Sequence, residues 1–175
     1  MQDELPVWNP DLEEVSFRFF KLFSRAEYAL KASGFVKRPS NSPTHNAVGE
    51  TTMKAKPDWA TFSRSVDASF LCAIADQPSL GDACHALFGA PPKKQTVDGS
   101  GNLRWEAMTL GQSVSADPTT NILNVLRNNL FHGGKAGPGG WDDPARTRFL
   151  LENGIIVLTA LMKCDQDVWE AMVSP

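Results

Sequence analysis

The sequence predicts an all-α protein, an up-and-down bundle of four main helices plus short extra helices, and three observations predict it. Apolar residues recur at threes and fours along the long stretches. Asp or Asn precedes those stretches where a helix needs a cap, and Gly or Pro follows where one must stop. The chain of 175 residues is 42% hydrophobic and 21% charged, which suits one core and does not suit a disordered tail. A single domain over residues 1–175 is therefore expected, with 36–56 and 93–102 as exposed loops.

The first helix is expected from about Asp11 to Ser33. Its stripe is Val15, Phe19, Leu22, Phe23, Ala26 and Leu30, with Asn9 or Asp11 to cap it and Gly34 to end it. The stretch from Val36 to Lys56 is rich in Pro, Ser, Thr and Asn, has no apolar period and reads as an exposed, mobile loop. His45 reads there as a surface histidine. The second helix follows Pro57-Asp58-Trp59, with Phe62, Val66, Phe70 and Ile74 spaced by four, and Pro78 ends it. A short helix is expected over Ser79–Phe88. Residues 93–102 are polar and carry the turn signal Asp98-Gly99, so they read as a loop or a hairpin tip. Leu103 to Leu110 fits strand or helix equally.

The third long helix opens at Asp117-Pro118, a cap followed by a first-turn proline. Ile122, Leu126 and Leu130 share one face, and Gly133-Gly134 stop it. A glycine-rich loop runs to Gly140. Asp143-Pro144 opens a fourth long helix, with Leu150, Ile155, Leu158, Leu161 and Met162 on its core side. Gly154 inside it costs roughly 1 kcal/mol of helix propensity relative to alanine. Asp165 to Val173 reads as a last short helix.

The net charge of -3 argues against a protein that coats nucleic acid non-specifically, because that needs many basic contacts to phosphate. It leaves room for an enzyme that grips RNA through one basic patch. The acidic start Met1-Gln2-Asp3-Glu4 lacks signal-peptide order, and no apolar run approaches the roughly 20 residues of a membrane span. The three cysteines, Cys72, Cys84 and Cys164, are odd in number and far apart, so they read as reduced thiols in a cytoplasmic protein. Cys84-His85 has no second ligand pair at a zinc spacing and reads as a buried thiol beside a surface histidine.

The stretch that carries chemistry is Val125-Leu126-Arg127-Asn128-Asn129-Leu130-Phe131-His132-Gly133-Gly134-Lys135. Asn128 and His132 are four apart and lie on one helix face. Arg127 sits about 140° around from His132 on an ideal helix, within reach of a long side chain. The helix C-terminus favours imidazolium, and the glycines leave room for a substrate. These residue types suit phosphodiester chemistry on RNA, whose 2′-hydroxyl is its own nucleophile. Histidine can move the proton, and the planar guanidinium can bind phosphate oxygens. No metal or cofactor is required, and no acidic metal cluster stands out.

Arg127-Asn128-x-x-x-His132, on the penultimate long helix, resembles the motif of the HEPN family: arginine, a polar residue, then histidine a few positions on. Leu130-Phe131-His132-Gly133-Gly134-Lys135 is similar to the continuation in many members. Phe23-Ser24-Arg25-Ala26-Glu27-Tyr28-Ala29-Leu30 is similar to the first HEPN helix, where an acidic residue often faces the arginine and histidine. The resemblance implies a HEPN-like bundle with Arg127, Asn128 and His132 as catalytic residues and Glu27 as an orienting or charge-balancing partner. It implies a homodimer whose two motifs meet near the two-fold axis. It also implies RNA cleavage in toxin or anti-phage defence, with a possible antitoxin or defence-complex partner. Lys135, Arg146 and Arg148 lie close in sequence and can extend an RNA groove. The chain departs from one subgroup, in which a tyrosine two residues after the histidine is modified: Gly134 stands there, and the only tyrosine is Tyr28.

Blander readings compete. Arg127 can pair with a helix carboxylate, His132 can cap a helix end, and Glu27 can pair with Lys31 four residues on. Lys135 lacks the upstream glycine and following Ser or Thr of a phosphate loop. Trp8, Trp59, Trp105, Trp141 and Trp169 can stack on bases, but core or interface packing is the commoner use. A HEPN-like module without activity, binding RNA or protein, is the alternative.

Overall fold

The computed structural model describes residues 10–37, 55–111, 113–131 and 143–174, with the backbone alone at 44–45, 51–52, 136–137 and 140–141. Six helices make up most of it: α1 (Pro10–Ala32), α2 (Trp59–Asp76), α3 (Pro78–Gly89), α4 (Ala116–Phe131), α5 (Pro144–Lys163) and α6 (Gln166–Val173). No helix among the described residues is long and apolar enough to cross a membrane.

The periodic stripes became the core. Leu12, Val15, Phe19, Phe23, Ala26 and Leu30 of α1 are buried against Phe62, Val66 and Phe70 of α2, Ile122, Leu123 and Leu126 of α4, and Leu150, Leu151, Val157 and Leu158 of α5. Leu22, Ile74, Leu130 and Ile155, also read as core, are only partly buried at its margin. Four helix starts or stops follow local chemistry. Asp58 accepts from the Thr61 backbone N–H (3.1 Å), Asp143 from Arg146 (2.8 Å) and Asp165 from Val168 (3.0 Å), each capping the helix that follows. Gly34, at φ +86°, supplies the left-handed residue that ends α1, and the Phe35 N–H returns to the Leu30 carbonyl at 2.8 Å.

Gly154 explains itself in space. A Cβ there would lie 3.0 Å from Phe19 Cε2 and 3.2 Å from Leu126 Cδ1. The glycine therefore lets α1 and α4 close on α5, a gain that outweighs its weak helix propensity. Its neighbours also fix directions. Gly154 faces Phe19, and Arg148 lies 3.7 Å from Asp11, so α5 starts beside the start of α1 and runs in the same general sense. On α4 the order reverses, with Arg127 beside Glu27 and Phe131 beside Phe20. Strict alternation of four helices would set the first and last antiparallel, so this pair departs from the expected up-and-down order.

The expected loops need correction. Residues 93–102 are the hairpin rather than an open loop: β3 (Lys93–Val97) pairs antiparallel with β4 (Leu103–Ala107), so the ambiguous stretch is strand as far as Ala107 and irregular from Met108 to Leu110. Asp98 makes the turn by accepting from the backbone N–H groups of Ser100 (2.9 Å) and Asn102 (3.0 Å), with Gly101 at φ +85°. These hydrogen bonds, led by the one from Asn102, hold the Asp98 carboxyl below the usual range. The segment read as loop 36–56 is closed at its base by a Val36–Pro57 bridge and the Lys37 N–H on the Lys56 carbonyl (2.9 Å). Within it β1 (Thr44–His45) pairs with β2 (Thr51–Thr52), and in the glycine-rich loop β5 (Ala136–Gly137) pairs with β6 (Gly140–Trp141). The cap of α4 is the other surprise. The helix starts at Ala116, and Asp67 of α2, not Asp117, takes the Ala116 N–H at 2.7 Å.

Candidate functional site

The described part of the site sits where the last turn of α4 crosses α1. Arg127 reaches across to Glu27, with Nη2 3.7 Å from Oε2, and the two side chains are 31% and 27% exposed. Its Nη1 donates to Asn128 Oδ1 at 3.1 Å. The guanidinium also lies over the Phe131 ring, 4.5 Å from the centroid, as residues four apart on a helix can. Phe20 of α1 closes the far side, its ring edge-on to Phe131 at 4.8 Å. A carboxylate, an amide and an aromatic face thus surround one guanidinium, on a side chain about a third exposed to solvent.

Asn128 is exposed on the outer face of α4, and Phe131 is the last residue of that helix. His132 and Lys135 lie outside the described residues. Of the expected site residues, the fold brings together Glu27, Arg127 and Asn128.

Arg146 and Arg148 do not join them. Arg146 donates through Nη2 to the carbonyls of Pro91 (3.0 Å) and Ala90 (3.4 Å), at the entry to β3. Arg148 binds Glu152 through Nε at 2.8 Å and lies 3.7 Å from Asp11. Asp11 and Glu27 are separated by about 24 Å along α1, at 1.5 Å per residue. The hydrogen bond to Glu152, then the charges of Glu152, Asp11 and Glu14, raise the Arg148 pKa further above its ordinary value. Arg146 and Arg148 thus each have their own partners, and Arg148 sits at the opposite end of α1 from Glu27.

Cys84 is buried and its thiol is pushed up to about 11 by burial, while His85 is exposed, as the sequence suggested. Tyr28 stands exposed on α1, one position beyond Glu27. The sequence reading missed Phe20 and Phe131 as the walls that hold the arginine. The signal was present: Phe131 follows Arg127 by four, and Phe17 and Phe20 break the α1 stripe toward solvent. Compared with known protein families, curated proteins and solved structures, the chain matches none.

Proposed function

We propose that this chain is a metal-independent endoribonuclease of HEPN type, with a HEPN-like bundle, working as a cytoplasmic homodimer in a toxin or anti-phage defence role. The observation that carries the reading is the Glu27–Arg127 pair across α1 and α4, with Asn128 bonded to the same guanidinium. It supports a cation held ready at a helix end, one residue chain-ward of the motif's amide and five before its histidine. In this scheme the 2′-oxygen attacks the adjacent phosphorus as its proton passes to a base. The bond from phosphorus to the 5′-oxygen breaks as that oxygen takes a proton. His132 serves as general acid or base, and Arg127 stabilises the charged transition state. Asn128 positions the imidazole or a phosphate oxygen, and Glu27 holds the guanidinium. The products are a 2′,3′-cyclic phosphate and a 5′-hydroxyl.

Purified protein incubated with mixed RNA in EDTA tests this. Cleavage that is lost in Arg127→Ala and in His132→Ala supports it; equal cleavage by wild type and both variants removes the site. A second reading, an inactive HEPN-like module that binds RNA or protein, is favoured by one observation. The Arg127 guanidinium is already engaged by Glu27 and Phe131, as a structural arginine would be. It predicts salt-sensitive RNA binding with no cut ends.

A further inference from the structure

Along α4, away from Arg127, lies a surface that the proposed chemistry does not use. A cleft of about 650 Å³ opens between the first turns of α4 and the chain leaving β4, within the size range of small-ligand sites. Met108 and Val125 give it apolar walls, and Lys94, Asp117, Asn121 and Asn124 give it polar groups. Lys94, on β3, is exposed and makes no ion pair among the described residues. Asn124 donates through Nδ2 to the Thr120 carbonyl at 2.8 Å, and among the described residues its amide oxygen has no partner. Asp117 accepts from Ser63 at 3.3 Å and from Asn121 at 3.5 Å, long contacts that leave acceptor capacity on a carboxylate.

The helix period joins this cleft to the site. Asn124 and Asn128 are four apart, and Asn121 and Asn128 seven apart, so the three amides follow one face of α4. Asn121 and Asn128 are about 10 Å apart along the axis. The spacing matches a track on which a chain bound at the Arg127 end continues into the cleft.

We propose that the cleft holds a nucleotide of single-stranded RNA that flanks the phosphate bound at Arg127 and sets base preference. The base lies against Met108 and Val125 with its edge to the Asn121 and Asn124 amides. Asp117 accepts from the ribose 2′-hydroxyl, and Lys94 meets a phosphate. An unpaired strand is required, because only splayed bases present their edges to such a pocket. This rests on the RNA reading above but not on the cutting step.

The test measures binding of a mixed-sequence hexaribonucleotide to the full chain carrying His132→Ala, so that no strand is cut. Asn124→Leu is expected to weaken binding about tenfold, the loss of one or two hydrogen bonds from the ligand. Lys94→Gln, on an exposed strand position, is expected to lower the slope of log K against log salt by about 0.7, one phosphate contact of a single strand. The DNA hexamer of the same sequence should bind more weakly than the RNA. Unchanged affinity in Asn124→Leu and an unchanged slope in Lys94→Gln would overturn the proposal, and Lys94→Gln keeps the test valid should Asn124→Leu not fold. Binding through the cleft without cleavage by wild type would sink the nuclease reading and keep this one. Cleavage dependent on Arg127, with cleft variants of unaltered affinity and base preference, would do the reverse.

Discussion

Arg127 and Arg148 both reach back to α1, and they meet different surroundings there. Arg148 is half exposed among Glu152 and Asp11 on an open face. Such an exposed cluster is screened by water and salt. Arg127 has one carboxylate, one amide and one ring, with Phe20 behind the ring. The lesson is that pairing alone says little about a cation. The proposed site needs a charge oriented before the substrate arrives, and the Phe131 face and the Asn128 amide would supply that orientation.

The sharpest way to break this contrast is catalytic. Arg127→Ala should lower RNA cleavage by about 10²- to 10³-fold, the usual loss when one oriented charge stabiliser is removed. Arg148→Ala should leave the rate within about twofold, since surface substitutions away from such features change little. Equal losses measured by gel assay would erase the distinction.

Next in size is the packing at the middle of α1, between the two arginine contacts. Gly154→Val puts atoms into space already taken by Phe19 and Leu126, and should destabilise the fold by about 3 kcal/mol in urea denaturation. Phe19→Ala, at the same crossing, should cost about 3 to 5 kcal/mol by the opposite defect, a cavity.

Smaller is the effect of Glu27→Gln. It keeps the size and removes the charge, and should reduce cleavage about tenfold if Glu27 only orients Arg127. An increase in rate would show instead that Glu27 restrains the arginine, as the binding-module reading has it.

Smallest is a pH effect away from both arginines. The Thr61 backbone N–H, then its hydroxyl, hold the Asp58 carboxyl below its ordinary 3.8. The cap therefore stabilises α2 fully above that value and loses its contribution as pH falls through the lower folded value. The melting-temperature gap between wild type and Asp58→Ala should be present at pH 7 and shrink below pH 3.8. A gap that grows on acidification would contradict the sign.

What could be read in advance depended on where the partner lay. Helix α1 was legible from Val15 to Leu30 because its period and its stop at Gly34 are local. The same holds for Asp58, Asp143 and Asp165, whose caps close within three residues. The cap of α4 was not, because Asp67 lies 49 residues from Ala116 and belongs to another helix. The hairpin was legible only as one alternative, from the turn signal Asp98-Gly99, because Lys93-Lys94-Gln95 and the exposed Val97 and Leu103 give no alternation of buried and polar positions. At the candidate site, the meeting of Glu27 with Arg127 was suggested by family resemblance rather than by spacing. The engagement of Arg146 had no signal at all, since main-chain carbonyls look alike in any sequence.

That last point reaches further. Asn129 of α4 donates to the Lys93 carbonyl at 3.0 Å, and Arg146 of α5 donates to those of Ala90 and Pro91. The hairpin is moored from two helices by oxygen atoms that every amino acid carries. Mutation can therefore rewrite the residues at its tip without casting it adrift, whereas changing Asn129 and Arg146 together would loosen the base of the flap and, with it, the lysine that borders the cleft.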